Sequence, residues 1–323
     1  IPDLHLVISA KIQLTCDPNT GIGSEALSMK SILQNKYVQQ FNDTGFTVIP
    51  NVIPDLELKH AQEALRKYYP SPDEYFANPD KFNELTSSQF AGLKLFPWTE
   101  LSLNQLTVHP NVIQCVAGLL GTPNLRLAKG ELWAKFGNRI DYDQEHHRDY
   151  GNHALTVPRR DGLYREATTF IFLSDITTTT GPTAVVPKAV SDSIPYGVMR
   201  AEPGSMRNVE MYATGVAGSL MVYSYEIFHR GTAMVDPKGF RFALLADYRA
   251  AEATWIGKHS FGRFGLDPNL NAFLEDISPE QRVLLDFPAP GHRFWNEQTI
   301  DDCQIRYPNM DMTPYTKAYD PTA

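Results

Sequence analysis

A histidine and an aspartate two positions apart are the first candidates for chemistry in this chain. His147 and Asp149 form a His-x-Asp pair within the run 143–150. If this run is a β-strand, residues two apart point to the same face, so both side chains could bind one metal ion. A histidine further along the chain would complete the two-histidine, one-carboxylate ligand set of non-haem Fe(II) oxygenases.

His229 is the candidate for the third ligand, and Arg241 is the candidate for a nearby anion site. His229 follows the segment Gly-Ser-Leu-Met-Val-Tyr, which is typical of a strand, after a short turn. Arg241 lies in the apolar run Phe-Arg-Phe-Ala-Leu-Leu, where a guanidinium is costly unless an anion pairs with it. That anion could be a carboxylate of the protein or the distal carboxylate of a small molecule such as 2-oxoglutarate.

Composition limits the classes to which the protein could belong. The 323 residues carry a formal charge of 29 − 37 = −8 and no long basic run, which disfavours nucleic acid or an anionic membrane as a partner. Three scattered cysteines are too few for a disulfide framework or a thiolate metal site. No stretch approaches the ~20 apolar residues of a membrane span, and the opening residues lack the features of a signal peptide. We therefore expect a soluble, cytoplasmic protein.

The elements that would position the candidate residues follow an antiparallel pattern. Short apolar or alternating segments, separated by loops with glycine or proline, predict strands at 125–136, 167–176, 183–187, 218–223 and 240–248. Helical patterns precede them at about 28–43, 55–69 and 111–120. Most of the strands have no helix between them, which predicts a sandwich or barrel rather than a doubly wound sheet.

Several motifs, taken in order, resemble the phytanoyl-CoA dioxygenase family of Fe(II)/2-oxoglutarate-dependent oxygenases. The stretch 41–53 resembles the family's motif of a phenylalanine, a glycine, an aromatic residue and three apolar residues. His147-Arg148-Asp149 resembles its first ligand pair. The stretch 170–187, with Gly181-Pro182-Thr183 inside it, resembles a further family motif. The Gly-Ser-His that usually follows is replaced by Lys-Ala-Val at 188–190.

The last matching motif contains the second histidine and the arginine that follows it. His229 and Arg241 lie 241 − 229 = 12 residues apart and resemble the family's distal ligand and its 2-oxoglutarate-binding arginine. The similarity covers roughly residues 31–250. It implies a mainly β fold whose core is a double-stranded β-helix, a jelly-roll and cupin-like barrel. It also implies a single oxygenase domain over 1–323, with an N-terminal arm at 1–30, a helical flank packed outside the barrel at 31–124, the jelly-roll core at 125–250 and a loop-rich C-terminal extension at 251–323.

The resemblance implies roles for individual residues. Three of them would bind Fe(II): His147, Asp149 and His229. Arg241 would bind 2-oxoglutarate, and O₂ would be the third reactant. Gln144 and Thr183 match residues that contact 2-oxoglutarate in some relatives, although ordinary hydrogen bonds within strands would also explain both. The presence of Asp149 favours hydroxylation or another oxidation over halogenation, because related halogenases replace this carboxylate with a small residue.

The identity of the substrate stays open at this level. We expect oxidation of a small molecule with release of succinate and CO₂. The alternatives are a cupin-like metalloenzyme that needs no 2-oxoglutarate, which Arg241 disfavours, and a non-catalytic binding protein of barrel fold, which the intact ligand set disfavours. Four basic residues near the predicted cavity mouth would suit an anionic substrate unless they are ordinary solvated charges: Lys135, Arg148, Arg159 and Arg160.

Overall fold

The computed structural model of the protein describes residues 32–257 and 261–319, so the N-terminal arm predicted at 1–30 lies outside the described residues. The described chain forms antiparallel β-sheets with helices before, among and after the strands. The strands are β1 (Phe46–Ile49), β2 (Lys94–Leu95), β3 (Leu125–Phe136), β4 (Glu166–Phe172), β5 (Thr183–Val185), β6 (Met211–Ala213), β7 (Leu220–Ser224), β8 (His229–Gly231) and β9 (Phe240–Ala250).

The helices of the described residues fall into an N-terminal, a central and a C-terminal group. The α-helices are α1 (Asn35–Thr44), α2 (Asp55–Ala64), α3 (Pro72–Ala77), α4 (Leu101–Leu106), α5 (Pro110–Leu120), α6 (Tyr150–His153), α7 (Lys188–Ser191), α8 (Pro268–Asp276), α9 (Pro279–Val283), α10 (Glu297–Arg306) and α11 (Thr313–Ala318). Short 3₁₀ helices cover Leu65–Lys67, Pro79–Leu85 and Phe261–Phe264. Within the described ranges, none of the helices combines the length and the apolar character that crossing a lipid bilayer would require.

The strands form a larger sheet and a smaller one. The larger sheet has the order β1-β7-β4-β9-β3-β2, the smaller one has the order β6-β5-β8, and every pair is antiparallel. Strands β3 and β9 pair over almost their whole length, with Phe136 opposite Phe240 and a β-bulge between Leu127 and Lys129. The predicted antiparallel sheets are therefore confirmed.

Strand alternation gives the larger sheet one apolar face and one face that meets a cavity. On β3, the even-numbered Leu132, Ala134 and Phe136 belong to the main apolar core. Beyond the bulge, the odd-numbered residues of the same strand line the cavity: Lys129, Glu131, Trp133 and Lys135. Successive side chains of a strand point to opposite faces, so one strand supplies both the packing against the helices and the polar wall of the cavity.

Helices from the N-terminal and the C-terminal parts of the described chain share this apolar core. Phe41 of α1, Val116 of α5 and Phe273 of α8 are all buried in it. Gly45 ends α1 in the left-handed conformation (φ 84°), and an added Cβ would lie 2.4 Å from the side chain of Ile227, so only glycine fits there.

The loop-rich character predicted for the C-terminal extension is not confirmed. The described part of the extension contains the short helices α8, α9, α10 and α11, with loops between them. Asp267, Ser278 and Asn296 start three of these helices, because each side chain accepts a hydrogen bond from a backbone N–H in the first turn. The helices are only five to ten residues long, and such short segments give weak periodic signals in a sequence.

Candidate metal centre and its cavity

His147, Asp149 and His229 come together in space, as the sequence predicts. One ligand atom from each residue lies within 4.8 Å of the others. The Oδ1 atom of Asp149 is 3.5 Å from Nε2 of His147, and its Oδ2 atom is 3.3 Å from Nε2 of His229. The two imidazole ring centroids are 4.6 Å apart. These side chains could therefore bind a single metal ion.

The backbone that carries the first two ligands corrects the strand interpretation of the run 143–150. His147 forms an isolated bridge with His229, in which the two backbones exchange N–H···O bonds of 2.9 and 3.0 Å. Asp149 immediately precedes α6 and has helical backbone angles (φ −79°, ψ −24°). The two ligands thus share a side because the chain turns into a helix at Asp149, and not because a strand alternates.

His147 is held in the tautomer that a metal ligand needs. Its Nδ1 atom lies 2.9 Å from the backbone carbonyl oxygen of Glu145. A carbonyl only accepts, so Nδ1 carries the proton and Nε2 keeps its lone pair. Burial, followed by the adjacent His229, lowers the pKa of His147 to about 4. The ring is therefore neutral at neutral pH, as metal binding requires.

Asp149 supplies the negative charge of the centre. Burial by itself raises the pKa of this carboxyl, but the neighbouring His229, Lys129 and His147 together outweigh that effect. The pKa of Asp149 consequently lies well below its usual range. Two imidazoles and one ionised carboxylate make a donor set that suits a divalent iron ion.

The three residues line a cavity of about 690 Å³ whose walls come from both sheets. This volume lies in the usual range for small-molecule sites, roughly 300–1,000 Å³. The other predicted site residues, Gln144, Thr183 and Arg241, line the same cavity. The structure thus brings all six predicted site residues to one place.

Arg241 lies in this cavity directly beside a lysine. Lys135 on β3 is the register partner of Arg241 on β9, and the side chains are only 5% and 4% exposed. Arg241 donates a hydrogen bond to the carbonyl of Gly181, while its Nε finds no hydrogen-bond partner among the described residues. No carboxylate in the described part of the chain pairs with either cation. The Arg241 guanidinium lies 5.3 Å from the ring centroid of Phe170.

The buried environment of Lys135 and Arg241 disfavours the protonated, charged form of both side chains. Burial, followed by the nearby Arg241, holds the pKa of Lys135 well below its usual range. Burial also lowers the pKa of Arg241 to about 10. An anion bound between the two side chains would relieve both effects.

The four basic residues predicted near the cavity mouth, either as a site for an anionic substrate or as ordinary solvated charges, lie in different surroundings. Lys135 lies inside the cavity. Arg148 is buried, and its guanidinium donates to four backbone carbonyls at 2.6–2.9 Å, those of Ser191, Pro195, Val198 and Glu226. Arg159 pairs with Asp161, and Arg160 donates to the carbonyl of Asp192. Arg148 also lines the cavity, whereas Arg159 and Arg160 are exposed.

Gln144 has a hydrogen-bond partner within the protein, and Thr183 lies in a paired strand. The Oε1 atom of Gln144 accepts a hydrogen bond of 2.9 Å from the backbone N–H of Gly231, two residues after His229. Thr183 is buried in β5, where its register partners are Ala213 and Gly231. Gln144 thus fixes the strand that carries the distal histidine. A direct contact of either residue with 2-oxoglutarate stays a prediction.

Sequence reasoning missed a buried polar network on another part of the cavity wall. The Nζ atom of Lys129 lies 3.0 Å from Asp247 and 3.9 Å from Glu131. The indole N–H of Trp133 donates to Glu131 at 3.2 Å, and the Tyr225 hydroxyl donates to Asp247 at 3.3 Å. The signal in the sequence was the alternation Lys-x-Glu-x-Trp-x-Lys over 129–135, which places four long side chains on one face of a strand.

The comparisons with known proteins concern the fold. No protein-family model matches the chain, and no curated protein matches it. Among solved structures, the non-heme alpha ketoglutarate dependent carbocyclase SnoK from nogalamycin biosynthesis is 17% identical with a TM-score of 0.51, over 72% of this chain and 90% of SnoK.

Two further solved structures match similarly. EctD from S. alaskensis is 16% identical with a TM-score of 0.50, over 70% of this chain and 80% of EctD. AviO1 from Streptomyces viridochromogenes Tue57 is 16% identical with a TM-score of 0.50, over 70% of this chain and 99% of AviO1. At such low identity these matches show that the chain shares the fold of these proteins.

Proposed function

We propose that this chain is an Fe(II)- and 2-oxoglutarate-dependent oxygenase, which hydroxylates or otherwise oxidises a small molecule and releases succinate and CO₂. One observation carries the proposal: a two-histidine, one-carboxylate group lines the same cavity as two buried basic side chains, which no carboxylate of the described residues pairs with. The fold shared with SnoK, which is named as a non-heme alpha ketoglutarate dependent enzyme, supports it.

Fe(II) fits the donor set formed by His147, Asp149 and His229. Three protein ligands leave further coordination positions free on an octahedral iron, as non-haem oxygenases require. The fixed tautomer of His147 and the low pKa of Asp149 prepare both groups to bind a cation without first losing a proton. When bound, the iron would supply the oxidising chemistry with O₂ while 2-oxoglutarate is converted to succinate and CO₂.

2-Oxoglutarate fits the pair formed by Lys135 and Arg241. A guanidinium can bind a carboxylate with two parallel charge-assisted hydrogen bonds, and the lysine adds a second positive charge next to it. A buried cation without an anion is unfavourable, so both residues favour a ligand with a carboxylate at this end. Phe170 and Trp133, which also line the cavity, limit the access of water to the charges.

The proposal extends to the architecture of the core, the family relationship and the cellular location. We propose a double-stranded β-helix core over 125–250, in which the two sheets form the walls of the cavity, within a single oxygenase domain. The motifs described above support a relationship to the phytanoyl-CoA dioxygenase family. A cytoplasmic location and the lack of a nucleic-acid or membrane partner stay predictions from composition.

The test of the proposed function is the anaerobic addition of Fe(II) and 2-oxoglutarate to the metal-free protein. We expect the visible charge-transfer band of an Fe(II)–2-oxoglutarate chelate. His147→Ala and His229→Ala should abolish the band, whereas His60→Ala, which changes an exposed histidine on α2, should keep it. A folded wild-type protein that gives no band would refute the proposal. Succinate release over a panel of small molecules would then identify the substrate.

A further inference from the structure

A tyrosine hydroxyl lies against two of the three candidate metal ligands. Tyr223 is in β7 and is only 2% exposed. Its hydroxyl oxygen is 3.3 Å from Nε2 of His229 and 3.4 Å from Oδ2 of Asp149. The Tyr223 ring centroid is 4.6 Å from that of His229 and 6.5 Å from that of Phe170. The hydroxyl thus faces the centre of the ligand group.

The tyrosine ring is held firmly in this position. Strand β7 lies between β1 and β4 in the larger sheet, with Tyr223 opposite Phe46 on one side and Thr168 on the other. An aromatic ring buried among paired strands has little rotational freedom to lose when its hydroxyl makes a hydrogen bond. The structure therefore presents the hydroxyl at a fixed point beside Asp149.

The hydroxyl has one proton, and its neighbours include Nε2 of His229 and Oδ2 of Asp149. A metal ion bound to Nε2 of His229 would use the lone pair of that nitrogen, so of these two acceptors Asp149 would remain. The acceptor of the Tyr223 hydrogen bond would be Oδ2 of Asp149. The other carboxylate oxygen, Oδ1, faces His147 Nε2 at 3.5 Å and stays available to the metal.

We propose that Tyr223 is a positioning residue that holds Oδ2 of Asp149, so that this carboxylate offers the metal a single oxygen. The inference rests on the metal centre of the proposed function. Carboxylates can also bind a metal through both oxygens, and that mode would occupy a coordination position needed by 2-oxoglutarate or O₂. Losing such a hydrogen bond to a metal ligand typically weakens metal affinity by about 10–100-fold.

The direct test is Tyr223→Phe, which removes the hydroxyl and keeps the ring. The metal-free protein is titrated with Co(II), whose visible absorption reports both affinity and coordination. We expect Co(II) to bind about 10–100-fold more weakly and with an altered spectrum. The matched control is Tyr248→Phe, because Tyr248 is equally buried but donates to the carbonyl of Thr107 at 2.8 Å. This control should change neither quantity.

A double-mutant cycle separates positioning from a general structural effect. If Tyr223 acts through the charged carboxylate, Tyr223→Phe should cost little or no further Co(II) affinity in an Asp149→Asn background. The same loss in both backgrounds would overturn the inference, and so would an unchanged affinity and spectrum in the single variant. If the wild type binds no Co(II) at all, the metal centre itself is refuted, and the role of Tyr223 with it.

A measurement on the wild type covers the case in which Tyr223→Phe does not fold. Infrared difference spectra on Co(II) binding, with isotope-labelled aspartate, report the separation of the two carboxylate stretching bands of Asp149. A wide separation, as for binding through one oxygen, is expected. A narrow separation, as for binding through both oxygens, would contradict the inference while leaving the oxygenase proposal intact.

Discussion

Lys135 and Arg241 are direct register partners on the neighbouring strands β3 and β9, and both side chains line the same cavity. Like charges directly opposite each other destabilise an antiparallel sheet, by an amount similar to the roughly 0.2–1 kcal/mol that opposite charges contribute. Burial without an anion adds to that cost. Such a local conflict is typical of a binding site, where the ligand and not the protein completes the charge balance.

We expect Arg241→Ala to weaken 2-oxoglutarate binding about 10–100-fold, because hydrogen bonds to a charged group contribute about 1.5–3 kcal/mol. The metal should still bind, since Arg241 is not one of the candidate ligands. Titration of the anaerobic Fe(II) complex, followed by the charge-transfer band, measures the change. The affinity for 2-oxopentanoate, which lacks the distal carboxylate, should be unaffected. An equal loss for both 2-oxo acids would contradict the assignment of Arg241 to that carboxylate.

Lys135→Met should separate stability from ligand binding. The substitution replaces a buried amine, whose charge is disfavoured by burial and by the nearby Arg241, with an apolar group of similar length. The metal-free variant should therefore be at least as stable as the wild type, by up to roughly 1 kcal/mol. The same variant should bind 2-oxoglutarate more weakly. Denaturant unfolding and the anaerobic titration check the two effects. A variant that loses stability and keeps its 2-oxoglutarate affinity would show that Lys135 is purely structural.

The depressed pKa of His147 makes the stability of the metal-free protein depend on pH. The pKa is about 4 in the folded protein, against an ordinary value of 6.5. Between these values the unfolded chain binds a proton that the folded chain does not, so stability falls as pH falls through this window. This group alone should cost about 2 kcal/mol between pH 7.5 and pH 5.

Other groups titrate in the same range, so the comparison must isolate His147. Urea unfolding of the wild type and of His147→Asn is measured at both pH values without metal. The variant should show the smaller loss of stability on acidification. Identical pH dependence in the two proteins would mean that His147 has an ordinary pKa.

The sequence predicted the antiparallel strands and the grouping of the ligands because both depend on local patterns. Strand β3 alternates apolar and polar residues over much of its length, and β9 is a largely apolar run, so both strands could be predicted. The proximity of His147, Asp149 and His229 followed from residue types combined with a family resemblance. The geometry that achieves it, a bridge at His147 and a helix start at Asp149, left no periodic signal.

Lys135 was misplaced at the cavity rim because its location depends on strand register. A lysine at the end of a predicted strand is usually solvated, and only the pairing of β3 with β9 brings Lys135 opposite Arg241. Registers arise from contacts between distant segments, which a single sequence does not encode in a local pattern. The same reason explains why the contact of Tyr223 with Asp149 was not predicted.

Glu166 is the clearest candidate for a buried group that lowers stability. It is 3% exposed, and within the described chain its carboxylate oxygens make no hydrogen bond of good geometry, although the Tyr225 hydroxyl is close enough to lower the pKa of the carboxyl slightly. Burial, followed by the nearby Asp247, raises the pKa of Glu166 well above its usual range. A raised pKa means that the folded state keeps a proton that the unfolded state has lost, so stability is lost as pH rises through the folded-state value.

We therefore expect Glu166→Met to stabilise the protein at pH 8, because it removes a buried carboxylate whose lost hydrogen bonds cost about 1–3 kcal/mol. The gain should shrink towards pH 4.5, where the wild-type carboxyl is protonated in the folded state. Glu63→Met is the matched control, since Glu63 is 64% exposed and its replacement should stay within about 0.5 kcal/mol. Denaturant midpoints of the wild type and of both variants, measured at pH 8 and at pH 4.5, test this expectation. A loss of stability at pH 8 would mean that Glu166 is ionised and paired in solution.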